Sequence, residues 1–158
     1  MLLKSMRTLE LKVPPPAVAL FIALLMWLVS WTVPQLGFDF PGRIIVAVAL
    51  AATGAITIVL GVASFRRAKT TFNPMKPEAT SSLVVSGVYK FTRNPMYLGL
   101  LLILAGWAVF LSNLLALLLL PAFVLYMNRF QIEPEERALR SRFREEFVAY
   151  ECRVRRWL

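Results

Sequence analysis

Long runs without a charged residue constrain this chain more than any other feature. The first covers residues 13–38, and its centre, AVALFIALLMWLVSWTV at 17–33, is almost entirely apolar. A helix rises about 1.5 Å per residue, so this segment crosses most of a hydrocarbon core about 30 Å thick. A cleaved signal peptide is the alternative, but its apolar region is normally about 7–15 residues long and ends at an A-x-A site, which is missing here. The run therefore predicts a first transmembrane helix.

A second uncharged run, at 44–65, predicts the next span. It contains Gly54 and Gly61, whose spacing of seven residues puts them on one helical face. Small residues on one face allow two helix backbones to approach closely within a membrane. We therefore expect this face to pack against another span.

The third uncharged run, 94–131, is too long for a single span. The polar pair Ser112-Asn113 interrupts it, which predicts two antiparallel helices at 96–112 and 114–131. Pro121 lies inside the last of these and should kink it, because proline removes a backbone donor and clashes with the preceding turn.

Composition and charge agree with a membrane protein. Hydrophobic residues make up 58% of the chain and charged residues only 17%, against about 25% in soluble domains. A net charge of +9 would also suit nucleic acid, but in so apolar a chain basic residues more often set membrane topology. Lysines and arginines precede the first span, separate the second from the third and follow the fourth, whereas loop 34–43 holds one acid and one base. The positive-inside rule then predicts that both termini and the central loop are cytoplasmic. The expected location is a bacterial inner membrane.

The tail at 132–158 has a helical pattern of its own. Six apolar residues recur at steps of three and four: Leu139, Phe143, Phe147, Tyr150, Val154 and Trp157. This stripe predicts an amphipathic helix on the membrane surface or on the protein, starting near Pro134 and Glu135. The expected fold is all-α: one domain, residues 1–158, with about four transmembrane helices and a cytoplasmic C-terminal helix.

The residue inventory excludes several kinds of site. There is no histidine and a single cysteine, Cys152, which excludes a histidine-based triad, a His/Cys metal site and an internal disulfide. No metal is expected. The spans carry no charge, which argues against ion transport. A non-catalytic scaffold or a small transporter subunit remains the alternative to an enzyme.

A polar tripeptide opens the third span, in the sequence TRNPMYLG at 92–99. Its residues allow a purely structural interpretation, in which Arg93 reaches lipid phosphate and Asn94 caps the helix. Pro95 would then occupy the first helical turn, and Tyr97 would join an interfacial aromatic belt. The alternative is a polar site completed by the other cytoplasmic cluster, EPEERALRSRF.

Two segments resemble a family of integral membrane enzymes. LVVSGVYKFTRNPMYLG, at 83–99, is followed about 35 residues later by EERALRSRFREEFVAYECRVRRW, at 135–157. In order and membrane placement they resemble the isoprenylcysteine carboxyl methyltransferase and phospholipid N-methyltransferase group. That group shows G-x-Y, R-H-P-x-Y-x-G and E-E-x-x-L-x-x-x-F-G-x-x-Y-x-x-Y-x-x-R-V-P. The resemblance covers roughly the C-terminal half of the chain.

The resemblance implies methyl transfer from S-adenosylmethionine, with S-adenosylhomocysteine as the product. It implies a cofactor pocket formed by Gly87, Tyr89, Arg93, Asn94, Pro95, Tyr97, Gly99, Glu135 and Glu136. Catalytic roles follow for Glu136 and, near the acceptor, for Arg129. The chemistry is compatible, because a sulfonium cation and an amino-acid zwitterion need carboxylate, amide and cationic partners, and methyl transfer mainly requires positioning and desolvation.

The chain departs from the family pattern at informative positions. Asn94 stands where many members have histidine, so an amide that donates and accepts hydrogen bonds replaces a titrating imidazole. Arg144 replaces the glycine of the F-G pair. Where the isoprenylcysteine enzymes have an arginine for the substrate carboxylate, this chain has Gln131, with Arg129 two residues earlier. A prenylated carboxylate is therefore disfavoured as the acceptor.

The residues leave the identity of the acceptor open. A lipid amine, a thiol, a carboxylate or another lipophilic small molecule from the bilayer fits, and membrane lipids are the expected surroundings. Nucleic acid is not an expected partner. The loop at 70–82 either closes over the substrate or simply connects two spans.

Overall fold

The computed structural model describes residues 10–68 and 82–158. Within them lie α1 (Pro15–Thr32), α2 (Arg43–Arg67), α3 (Pro95–Leu111), α4 (Leu114–Met127) and α5 (Glu133–Arg153). Short 3₁₀ turns occur at Pro34–Leu36 and Gly87–Lys90, and a π-helical turn, Asn128–Ile132, joins α4 to α5. The described residues include no β-strand, so the expected all-α class is confirmed. The 70–82 loop lies outside these residues except for its last position.

The apolar helices agree with the expected spans. Three are long and apolar enough to cross a membrane: Pro15–Thr32, Arg43–Arg67 and the continuous helix Leu114–Arg153. α3 is apolar but shorter, at 17 residues. α4 continues through Pro121 without ending there.

The central element of the bundle is α3. It packs against α2 on one side and against α1 and α4 on the other. The core between α1, α3 and α4 is apolar and includes Met26, Leu104, Ala108, Ala116, Phe123 and Met127. The indole of Trp107 also donates a hydrogen bond of 3.0 Å to the Ala23 carbonyl, which ties α3 to α1.

The contact between α2 and α3 depends on glycine. A Cβ atom placed at Gly54 would lie 2.5 Å from the Gly99 carbonyl oxygen, and one at Gly99 would lie 2.6 Å from the Gly54 carbonyl oxygen. Gly61, about two turns further along the same face of α2, lies against Met96, where an added Cβ would meet the side chain at 2.9 Å. The predicted packing face of Gly54 and Gly61 is therefore confirmed.

The turn predicted at Ser112-Asn113 is also present. The Asn113 side chain accepts a hydrogen bond from the Leu115 N–H at 3.0 Å and donates one to the Val33 carbonyl at 2.9 Å. The first bond caps α4, and the second ties this end of the hairpin to the end of α1.

The tail differs from the prediction at both ends. No free helix start exists near Pro134, because the π-helical turn runs directly into α5 and Ile132 is itself helical. α5 ends at Arg153, so Val154 and Trp157 are not on the helix that was expected to carry them. Residues 154–158, here named the C-terminal strap, fold back instead towards the start of α3.

Candidate functional site

The 3₁₀ turn before α3 positions the first group of expected site residues. Gly87 has a left-handed backbone, with φ of 63°, and a Cβ there would lie 2.8 Å from the Ser64 hydroxyl, so only glycine fits between this turn and α2. Tyr89 is buried, and its ring packs edge-on against Phe65 with centroids 5.5 Å apart. The Tyr150 hydroxyl donates to the Tyr89 carbonyl at 2.7 Å, which attaches α5 to the turn.

Arg93 lies at the centre of a charged network. Its guanidinium forms ion pairs with Glu151 at 2.6 Å and with Glu136 at 3.3 Å, and only 13% of its side chain is exposed. Its Nε atom is buried and has no hydrogen-bond partner among the described residues. The purely structural interpretation, in which Arg93 reaches lipid phosphate, is therefore wrong, because the acids of α5 hold Arg93 inside the protein.

The network continues through both acids. Arg156, in the C-terminal strap, donates two hydrogen bonds to Glu136, at 2.6 and 3.1 Å. Arg140 pairs with Glu151 at 2.7 Å. Burial raises the pKa of Glu151, but hydrogen bonds from Arg140 and Arg93 outweigh it and hold the pKa below its ordinary value. Alternating charges thus join α5, the start of α3 and the strap.

Asn94 binds the strap rather than its own helix. It occupies the N-cap position of α3, but its side chain makes no capping bond and instead donates to the Arg156 carbonyl at 2.9 Å. Thr92 reaches the same carbonyl at 3.3 Å, and the Arg93 backbone N–H donates to the Arg155 carbonyl at 3.0 Å. The capping interpretation of Asn94 is therefore wrong, whereas Pro95 does occupy the first turn.

Tyr97 connects the two sequence motifs. Only 3% of this residue is exposed, so it does not belong to an interfacial belt. Its hydroxyl donates a hydrogen bond to the Glu135 carboxylate. Burial raises the pKa of Glu135 to about 8, the bond from Tyr97 lowers it, and the neighbouring Glu136 charge raises it. The site therefore contains one acid of high proton affinity beside one in a network of ion pairs.

Gly99 is explained by helix packing, as described for its contact with Gly54. Arg129 belongs to a second group of ion pairs, with Glu10 at 2.9 Å and Glu133 at 3.6 Å. Gln131 is fully buried, and its amide donates to the Val13 carbonyl at 2.6 Å. These contacts bring the chain before α1 to the same end of the bundle as the site.

Sequence reasoning missed the strap and its partners. Contacts at the site come from the Arg156 side chain, the Arg155 carbonyl and Glu151. The Trp157 indole donates a hydrogen bond of 3.0 Å to the Asn128 side chain. The one available signal was the position of this basic stretch, RVRRW, at the end of the second motif. No group of His, Cys, Asp or Glu suited to a metal ion occurs in the described parts of the chain.

In the described residues, fold and site define a polytopic, helical membrane protein with a network of ion pairs at one end of the bundle. The family model described as phospholipid methyltransferase matches residues 42–146, about two thirds of the chain. The chain belongs to the phospholipid methyltransferase family, which confirms the resemblance and indicates methyltransferase activity. The match includes the Arg93 motif and the Glu135-Glu136 pair but ends before Glu151 and the strap.

Among curated proteins, the chain is similar to an uncharacterized protein of Haemophilus influenzae, with 51% identity over 63 residues, which are 40% of this chain and the whole of that protein. No solved structure matches the chain.

Proposed function

We propose that this protein transfers a methyl group from S-adenosylmethionine to a lipid amine at the cytoplasmic face of the membrane. The observation that carries the proposal is the meeting of the two motifs, through the Arg93–Glu136 ion pair and the Tyr97–Glu135 hydrogen bond. The family supports a lipid acceptor. Gln131, in place of an arginine, favours an amine over a carboxylate.

The residues present fit the cofactor. The buried Nε of Arg93 has no partner among the described residues, and a carboxylate would satisfy this donor. The carboxylates of Glu135 and Glu136 can attract the ammonium and sulfonium charges of the cofactor, and the Asn94 amide can form hydrogen bonds with its hydroxyl or carbonyl groups. The residues proposed to hold the cofactor are Gly87, Tyr89, Arg93, Asn94, Pro95, Tyr97, Gly99, Glu135 and Glu136. When bound, the cofactor supplies an electrophilic methyl group on a positively charged sulfur.

The protein contributes orientation and a low dielectric. Glu151 and Glu136 fix the Arg93 guanidinium from two sides, so little reorganisation is needed when a ligand binds. Pro95, Met96 and Tyr97 are buried and exclude water from the start of α3. Arg129 and Glu136 keep their predicted catalytic roles as proposals.

Calorimetry on the detergent-solubilised protein tests the cofactor. We expect S-adenosylmethionine and S-adenosylhomocysteine to bind the wild type, and Arg93→Lys to bind about tenfold more weakly, because lysine lacks the buried Nε donor. Arg155→Lys is the matched control, because its side chain is exposed and should leave the dissociation constant unchanged.

Transfer of a radiolabelled methyl group then tests the acceptor. Vesicles containing phosphatidylethanolamine should become labelled, whereas vesicles containing a free fatty acid or a long-chain thiol in its place should not. Absence of binding heat with both cofactor forms would overturn the enzyme proposal and favour the membrane scaffold. Labelling of the fatty acid or thiol alone would replace the amine by that acceptor.

A further inference from the structure

Two adjacent acids at the site have opposite surroundings. Glu136 lies between the guanidinium groups of Arg93 and Arg156, and 11% of its side chain is exposed. Glu135 accepts a hydrogen bond from the uncharged hydroxyl of Tyr97 and lies beside the negative charge of Glu136. Glu136 is thus held between two guanidinium groups, whereas Glu135 meets a neutral donor and a like charge.

The groups that face Glu135 come from three elements. Tyr97 belongs to the first turn of α3, Tyr89 to the 3₁₀ turn, and Glu136 to α5 itself. Burial raises the pKa of Tyr89 far above its ordinary value, so this phenol remains neutral and cannot take a proton in place of Glu135. Tyr97 binds Oε1 of Glu135, which leaves Oε2 for an incoming group.

A lipid amine must lose a proton before it can accept a methyl group. An aliphatic ammonium has a pKa near 10.4, as in lysine, so a carboxylate with the ordinary pKa of 4.5 would hold this proton about 10⁶-fold less well than the amine. Raising the pKa of Glu135 to about 8 reduces this disadvantage to a few hundredfold. A carboxylate acceptor, already deprotonated at neutral pH, would not use such a base.

We propose that Glu135, oriented by Tyr97, is the general base that removes a proton from the ammonium group of the lipid acceptor. The N–H bond breaks, its electron pair stays on nitrogen as the attacking lone pair, and the proton bonds to Oε2 of Glu135. Solvent at the membrane face later takes the proton from the carboxylic acid. This inference rests on the proposed function and gives Glu135 a catalytic role, in addition to the cofactor-binding role that the resemblance implied for it.

Infrared titration of the cofactor-free protein tests the base without requiring turnover. The wild type should show a protonated carboxylic acid band that disappears as the pH rises through about 8, and Glu135→Gln should lack it. Tyr97→Phe removes the bond that lowers this pKa, so the band should persist to higher pH. Glu145→Gln, an exposed position on the same helix, should match the wild type.

Kinetics with phosphatidylethanolamine in mixed micelles supplies the second measurement. The wild-type kcat/KM for the amine should rise with pH to a plateau, with its inflection at about pH 8, because this parameter reports the pKa of Glu135 in the free enzyme. At saturating S-adenosylmethionine, Glu135→Gln should lower kcat by about 10²–10⁴-fold and abolish this inflection.

The outcomes separate this inference from the proposed function. Amine methylation by Glu135→Gln with wild-type kcat and pH profile would overturn the role of Glu135 and leave the methyltransferase intact. Disappearance of the wild-type band near pH 4 would also overturn it. A wild-type protein that binds neither cofactor form would overturn the proposed function itself, and the inference with it.

Discussion

Arg144 has a backbone conformation that its side chain disfavours. Its φ of 41° and ψ of −114° lie outside the helical region, although α5 continues on both sides. Only glycine adopts such angles without steric cost, and the family pattern has glycine at this position. The kink directs the second half of α5 so that Phe147 and Tyr150 are buried against the protein. The geometry therefore requires a glycine-like turn that this chain makes with arginine.

Replacing Arg144 by glycine should stabilise the protein. A residue in a sparsely populated backbone region costs about 1–3 kcal/mol, and the greater chain entropy of glycine offsets about 0.5–1 kcal/mol of the gain. We expect Arg144→Gly to raise the thermal midpoint measured by circular dichroism in detergent. Glu146→Gly, at an ordinary exposed helical position, should lower it. Equal losses in the two variants would show that Arg144 is not strained.

At the same scale, the sequence offered candidate site residues but not their contacts. The family resemblance implied Arg93, Asn94, Glu135 and Glu136, and the structure brings Arg93 and Glu136 together. The resemblance did not show that Asn94 binds the Arg156 carbonyl, because such a bond depends on where the chain folds after α5 ends. Local sequence patterns describe periodicity along one helix or strand, whereas the bond from Asn94 to Arg156 joins residues 62 positions apart.

Among the helices, the α2–α3 contact was predictable and the α4–α5 junction was not. The spacing of Gly54 and Gly61 directly indicates a face for close approach. Near Pro134, the usual signals of a helix start favoured a break, but the π-helical turn at Asn128–Ile132 lets the helix continue. Because no open N-terminus precedes Glu135, a helix dipole does not explain why acids occur there.

Gly99 allows the packing and cofactor roles of α3 to be separated. A Cβ at this position would also lie 2.5 Å from Cγ1 of Ile58, so Gly99→Ala should push α2 away from α3. Overpacking of this kind typically costs about 1–3 kcal/mol, and we expect a lower thermal midpoint in detergent. Ala55→Val, on the exposed side of α2, is the control and should melt like the wild type. Weaker binding of S-adenosylhomocysteine by Gly99→Ala, with unchanged melting, would instead favour a direct cofactor role.

For the whole molecule, the structure places the site and the chain before α1 at one end of the bundle. Glu10 pairs with Arg129 and Arg137, and the Leu11 N–H donates to the Phe130 carbonyl at 3.0 Å. The opposite end holds the loop with Asp39 and the turn at Asn113. The uncharged runs alone predicted consecutive antiparallel spans. The contacts of the C-terminal strap with the start of α3 could be found only in the three-dimensional structure.

The charge asymmetry predicts which end of the bundle is cytoplasmic. The site end is rich in arginine, whereas Asp39 and Arg43 at the other end pair with each other at 3.3 Å and contribute no net charge. By the positive-inside rule the site should face the cytoplasm.

Cys152 is the one cysteine of the chain and is exposed, so labelling of its thiol reports on which side of the membrane the site end lies. In spheroplasts, a membrane-impermeant maleimide should label it only after permeabilisation. Asp39→Cys, in a Cys152→Ser background, should be labelled without permeabilisation, because the Asp39 side chain is 81% exposed at the opposite end. Labelling of both positions from the same side would contradict the four-span topology, and the reverse pattern would place the site outside the cytoplasm.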